Sequence, residues 1–366
     1  MRIRELLRRD LDRKIEEVIQ LDQAEPHAVY DEITEYVATD RIKDQYRDLL
    51  QAINSARTEP TEGIGVWISG FFGSGKSSFA KNLGSVLSNQ EVLGQRASEL
   101  FKAQLNDPEL GDLIDLVNQT IPTEVVMFDV QKDQAGHSGP DISPFVYRVL
   151  LRHLDHAEDF DLAEVEIELE AENRLQEFVE RFDRRYAIDD ERASWNRRGR
   201  KGAQVWNRTS IILNEMDPDT YPTPESFAQK LVQNRFRATP EKLVERAFDL
   251  MERRRPGKAL TFIIDEVGQY VAYSRERLGN LRAVVEQFGK EGKNRMRERR
   301  IPAPAWFIVT SQESLDEVTS AIGDEKRVLL SWVRDRFKHE IDLSRPTCAR
   351  SPPAACSPRT RRESEN

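Results

Sequence analysis

The sequence predicts an α/β fold: a three-layer arrangement around a parallel sheet, with an N-terminal helical segment and a large helical insertion. Three observations carry that reading. The apolar run Gly65-Val66-Trp67-Ile68-Ser69 leads into Gly70-Phe71-Phe72-Gly73-Ser74-Gly75-Lys76-Ser77-Ser78, after which Phe79, Ala80, Leu83, Val86 and Leu87 recur at helical spacing. A second apolar run, Leu260-Thr261-Phe262-Ile263-Ile264, ends in Asp265-Glu266. A third, Ala305-Trp306-Phe307-Ile308-Val309, ends in Thr310-Ser311-Gln312. Short apolar runs separated by long helical stretches are the mark of buried parallel strands with crossover connections.

The chain divides into five parts. Residues 1–57 read as an N-terminal helical segment: Ile3, Leu6, Leu7, Leu11, Ile15, Val18 and Ile19 recur every three or four residues, and after a break at Asp22 to Pro26 the period resumes from Val29 to Ile53. Residues 58–143 form the first part of the core. There Thr58 to Gly63 makes a turn, residues 89 to 120 read as polar helix, and Glu124 to Val130 gives a second buried strand. Residues 144–256 read as a charged helical insertion with an acidic face from Asp159 to Glu172. A basic stretch follows (Arg181, Arg184, Arg185, Arg192, Arg197, Arg198, Arg200, Lys201), with Trp195 and Trp206 inside it. Residues 257–343 complete the core and carry a second basic run, Lys290, Lys293, Arg295, Arg297, Arg299 and Arg300. The end of Trp332 to Leu343 is the candidate last strand, and residues 344–366, without a periodic apolar face, read as a disordered or aberrant tail.

Composition narrows the class. With 366 residues, 38% hydrophobic and 33% charged, the chain can bury a core without staples. No run approaches the roughly 18 apolar residues of a membrane span. The opening Met1-Arg2-Ile3-Arg4-Glu5 lacks a signal-peptide core, so a cytoplasmic protein without a membrane partner is expected. Cys348 and Cys356 both lie near the C-terminus, which excludes a disulfide framework or a cysteine metal site from the body. The histidines show no metal-binding spacing; His153 and His156, three apart on a charged helix, read as a solvated pair. A net charge of -9 argues against a uniformly basic nucleic-acid binder and leaves room for a local basic groove.

The residue types around the glycine loop specify a chemistry. Gly70, Gly73 and Gly75 allow backbone conformations that turn successive N–H groups toward a polyphosphate at the positive end of the next helix. Lys76 would reach the β- and γ-phosphates, and the Ser77 hydroxyl would complete the shell of Mg²⁺; Phe71, Phe72, Ser74 and Ser78 make up the rest of the loop. Asp265 at a strand tip would support the metal, usually through water, and Glu266 would polarise a water for attack on the γ-phosphate. Thr310 or Ser311 would sense the phosphate or orient that water. ATP and Mg²⁺ are therefore the expected cofactors, and ATP hydrolysis the expected activity.

Five strand candidates in this order resemble the additional-strand P-loop ATPases, most closely the AAA+ type. In that resemblance Arg336, just before the fifth strand, takes the place of the arginine finger, with Arg334 second, and action in trans on a neighbour implies a homo-oligomer. The phrases M-R-I-R-E-L-L-R-R-D-L-D-R-K-I-E-E-V-I, E-Y-V-A-T-D-R-I and W-I-S-G-F-F-G-S-G-K-S-S-F are similar to the P-loop protein of BREX phage-defence systems, the BrxC/PglY family, over residues 1 to about 343. This resemblance alone implies a bacterial anti-phage ATPase working with DNA and other BREX proteins, among them an adenine methyltransferase. Family members are several times longer and an AAA+ lid follows the fifth strand, so the stretch after Leu343 reads as the frame-shifted end of a fragment, with weakened hydrolysis. The alternative is a nucleotide-gated DNA-binding or scaffold protein with little turnover, whose working surfaces are the basic runs at 192–201 and 290–300. A small-molecule kinase fits less well, because no substrate pocket is legible.

Overall fold

A computed structural model of the chain describes residues 25–130, 141–188, 193–197, 203–272, 274–321 and 326–344. The first amphipathic stretch, most of the basic run at 192–201, His137 and the tail with both cysteines lie outside the described residues.

The chain enters through two helices, α1 (Pro26–Glu35) and α2 (Asp40–Ser55). Pro26 opens the first, and the Thr39 hydroxyl caps the second by accepting from Ile42 N at 3.4 Å. Strand β1 (Gly65–Ser69) then delivers the glycine loop to α3 (Lys76–Ser88). The region expected to be polar helix opens instead with a hairpin, β2 (Glu91–Val92) against β3 (Gln95–Arg96). Its turn residues Leu93 and Gly94 both take positive φ, +48° and +82°, the geometry of a two-residue hairpin turn that overrides the helical pattern. Helices α4 (Ala97–Leu105) and α5 (Pro108–Thr120) follow, then β4 (Thr123–Asp129).

The insertion comprises α6 (Ser143–His153), α7 (Phe160–Ala171), α8 (Leu175–Tyr186), α9 (Ala203–Met216), α10 (Ser226–Gln233) and α11 (Pro240–Arg254). The core resumes with β5 (Ala259–Asp265), α12 (Val267–Val271), α13 (Arg275–Arg297), β6 (Trp306–Ser311), α14 (Leu315–Ser320), α15 (Lys326–Arg334) and β7 (His339–Asp342). Five strands form one parallel sheet in the order β4-β5-β6-β1-β7.

Alternation along the strands sorts the two outer layers. Val66, Ile68, Ile263 and Ile308 face the side covered by α1 to α5, where Tyr46 stacks on Phe79 at 4.1 Å. Trp67, Phe262, Phe307 and Val309 face the insertion and α13, with Phe288 packed 4.9 Å from Phe307. Both faces are buried, which is why the strands read as continuous apolar runs rather than alternating ones.

The acidic helix α7 is not a solvated face. Leu162, Ala163, Val165, Ile167 and Leu169 are buried, and three of the helix's carboxylates pair with neighbouring helices: Asp161 with Arg235 at 3.1 Å, Glu164 with Arg246, Glu170 with Arg254 at 3.1 Å, while Glu168 is exposed. The two histidines likewise depart from the solvated expectation. His156 is buried with Nδ1 3.1 Å from Glu166, which also accepts from the indole of the buried Trp195 at 2.6 Å. His153 bonds Glu124 at 2.8 Å.

Glu124, the second residue of β4, joins the insertion to the sheet by also accepting from Arg255 at 3.1 Å and Lys258 at 2.7 Å. Burial pushes its carboxyl pKa up, but the bonds from His153, Lys258 and Arg255 outweigh it and hold the pKa at about 2. A folded pKa below the unfolded one gives stability present above the unfolded value and lost as pH falls through the folded one. Glu124→Gln should therefore lose on the order of 3 kcal/mol at neutral pH. In urea unfolding the gap to wild type should narrow as the pH drops from about 4.5 toward 2; a gap independent of pH would contradict this role.

Candidate functional site

The five strands of the main sheet run the same way, so the glycine loop after β1 and the acidic end of β5 emerge at one edge of the sheet. Gly73 and Gly75 sit at φ +80° and +90°, where a side chain would be strained, and a Cβ at either would meet no atom within 4 Å. Open space therefore lies over the loop backbone. Gly75 is the N-cap of α3 and supplies no side-chain acceptor, so the first-turn N–H groups of that helix keep their donors and positive dipole end for another partner. The Ser74 hydroxyl is buried without a hydrogen-bond partner among the described residues. Lys76 is buried, its Nζ folded back to donate to Phe71 O at 3.2 Å. Ser78 continues the first helical turn, whereas Phe71 and Phe72 stand exposed at the loop tip.

The loop and the acidic strand meet in space. Ser77 Oγ donates to Asp265, 2.9 Å from one carboxylate oxygen and 3.2 Å from the other, across 188 residues of sequence. Asp265 is itself buried. Thr310 lies on the strand between: its hydroxyl donates to Asp265 and accepts from Glu266 N at 3.0 Å. Glu266 has left-handed backbone, φ +56°, unusual for a residue with a side chain, and the Thr310 bond holds that conformation. Thr310, expected to sense the phosphate, has no exposed surface, and its hydroxyl bonds the Asp265 carboxylate and the Glu266 backbone. Ser311 turns away, accepting from Glu313 N at 3.1 Å.

Glu266 has an altered acidity. Burial raises its pKa above the ordinary glutamate value, the neighbouring charges of Asp265 and Asp129 raise it further, and Lys76 and a hydrogen bond from Gln312 oppose them. Gln269 Nε2 also donates to it at 3.1 Å. Asp129 and Gln269 were not singled out from sequence. Asp129 ends β4 directly opposite Asp265 in the register, and the signal was the apolar run closing on an acid, as β5 does. Gln269 is three residues past Glu266 on the following helix, one turn away.

The arginine candidates stand elsewhere. Arg336 O accepts from Gly65 N, at the start of β1, whereas the glycine loop leaves its far end, about 16 Å away for a five-residue strand. Its guanidinium pairs with Glu62 and Glu286, both at 3.4 Å, and Arg334 pairs with Asp316 at 2.9 Å and Glu340 at 2.6 Å. Neither reaches the loop of its own chain.

Four of the six cations from Lys290 to Arg300 lie against acids, and those paired with Arg295 and Arg300 include Asp249 and Glu252 of α11. Arg295 is buried between Asp249, Glu252 and Glu291 at 2.7–2.9 Å. Arg300 bonds Glu252 at 3.0 Å, Lys290 bonds Glu286 at 2.6 Å, and Lys293 lies 3.6 Å from Glu62. Trp206, from the other basic stretch, is covered by the Arg235 guanidinium at 4.5 Å and bonds Asp159.

Among the described residues no helix is long and apolar enough to cross a membrane. No family model matches this chain, and no solved structure matches it.

Proposed function

We propose that this chain binds ATP with Mg²⁺ and hydrolyses it, as an additional-strand P-loop ATPase of AAA+-like architecture. The observation that carries the reading is the bond between Ser77 and Asp265, at the uncapped start of α3. A hydroxyl and a carboxylate at hydrogen-bond distance, with an anion-seeking helix terminus beside them, suit a divalent cation that bridges protein and phosphate. The position of β6 between β1 and β5 supports the additional-strand assignment.

Bound Mg²⁺ would neutralise charge developing on the transferred phosphoryl group. Ser77 and Asp265 would hold it, and Lys76, released from Phe71 O, would neutralise the phosphates. The open space at Gly73 and Gly75 lets their backbone approach those oxygens closely. Glu266, its pKa raised above the ordinary glutamate value by burial and by the charge of Asp265, would take the proton of the attacking water, in reach of the amides of Gln269 and Gln312.

Service in a BREX defence system, with DNA, an adenine methyltransferase and other BREX proteins as partners, rests on the sequence resemblance alone, as does a homo-oligomer with Arg336 acting in trans. For such a finger role Arg336 would have to leave Glu62 and Glu286. The pairing of Lys290, Arg295 and Arg300 gives a DNA-binding scaffold reading no support.

Calorimetric titration of MgATP into the full chain tests the proposal. One site per chain with Kd in the micromolar range is expected, weakened at least about tenfold by Lys76→Ala. Equal binding by both proteins would overturn it.

A further inference from the structure

The helix that follows Glu266 is too short to hold itself. With only the five residues Val267–Val271, α12 keeps its place through what it packs against. Val267, Tyr270 and Val271 join the core on the insertion side of the sheet, and Gln269 alone of the five is exposed.

Two contacts seat this helix. A Cβ added at Gly268 would lie 2.0 Å from Ser311 Oγ, 2.8 Å from Ser311 Cβ and 3.1 Å from Ser311 Cα, so α12 sits on the end of β6 closer than any residue with a side chain would allow. Turning the serine hydroxyl aside would not relieve the two nearer-backbone atoms. At the other end Arg277, in the first turn of α13, donates to Tyr270 O at 3.1 Å and lays its guanidinium 5.0 Å over the Tyr270 ring.

So seated, α12 brings Gln269 Nε2 to 3.1 Å from a carboxylate oxygen of Glu266, three residues back along the chain. Gln312, just past β6, bonds the same side chain. The Thr310 hydroxyl already ties the Glu266 backbone, so main chain and side chain are both held.

Resting on the ATPase reading of the same site, we propose that Gln269 is a positioning residue for hydrolysis: placed by the contact of Gly268 with Ser311, it fixes the Glu266 carboxylate in one orientation toward the attacking water. An amide suits that task because it donates a hydrogen bond without a charge. A lysine or arginine in its place would form an ion pair and resist protonation of the carboxylate, whereas an apolar side chain would leave the Glu266 end group free to turn.

ATP turnover, MgATP titration and thermal unfolding of the full chain, with wild type beside Gln269→Leu, Gln269→Glu and Gly268→Ala, test the proposal. Gln269→Leu should lower kcat at least about tenfold while MgATP affinity stays within about threefold and the melting midpoint within about 2 °C, because the replaced side chain is exposed. Gln269→Glu keeps the length of the side chain but loses the donor, and should fall at least as far. Gly268→Ala, which lifts α12 from β6, should lower kcat about tenfold or more, again with MgATP affinity retained. Wild-type kcat in any of the three, or MgATP affinity falling in step with kcat in both Gln269 variants, would overturn the positioning role alone. A wild type without turnover would overturn the ATPase reading and this role with it.

Discussion

Replacing Glu266 by Gln lowers ATP turnover by about a hundredfold or more and leaves MgATP affinity within about threefold of wild type. The amide keeps the size of the side chain and its bond with Gln269, but it cannot accept a proton. A group that acts only as charge develops in the transition state contributes little to ground-state binding, so the effect falls on kcat. The raised pKa of Glu266 adds a second signature. Its carboxylate is the active form, so the acid limb of the wild-type profile should lie above the ordinary glutamate value and be missing from residual Glu266→Gln activity. Wild-type turnover in the Gln variant would remove Glu266 from the reaction.

Thr310→Val should lose stability and turnover together. The hydroxyl is fully buried and serves two groups, accepting from Glu266 N and donating to Asp265. An isosteric valine leaves a buried N–H unpaired and the left-handed Glu266 backbone untied, which together cost about 2–3 kcal/mol. Turnover should fall at least about tenfold, because Glu266 is no longer held in one orientation. Thr310→Ser retains the hydroxyl and should retain most of both properties. A residue whose only task were phosphate sensing would lose activity at unchanged stability, so chemical unfolding beside the kinetic assay separates the two roles.

The strands were legible in the sequence because each is buried on both faces. Leu260 to Ile264 and Trp306 to Val309 are unbroken apolar runs, and the observed strands fall within a residue or two of the expected ones. The loop was legible because its glycines are demanded by backbone geometry, at φ +80° and +90°, independently of distant residues. What was hidden depends on pairing across space. Whether Glu164 or Arg295 meets solvent is decided by Arg246 and Asp249, on a helix far along the chain, and no local pattern reports it. The polar tip of β6 posed the same difficulty: Thr310 and Ser311 are adjacent hydroxyls, but the strand's alternation points one at Asp265 and the other toward Glu313. The Leu93-Gly94 turn escaped notice because leucine is an uncommon occupant of positive φ.

The central claim is that the glycine loop and the tip of β5 form a single site for ATP and its metal. The magnesium dependence of ATP binding, measured by titration on wild type and on Ser77→Ala with Asp265→Asn, tests it most directly. The account predicts that Mg²⁺ strengthens binding at least about tenfold in wild type and by no more than about twofold in the double variant. ATP affinity indifferent to Mg²⁺ in wild type, or an undiminished Mg²⁺ effect in the double variant, would contradict it.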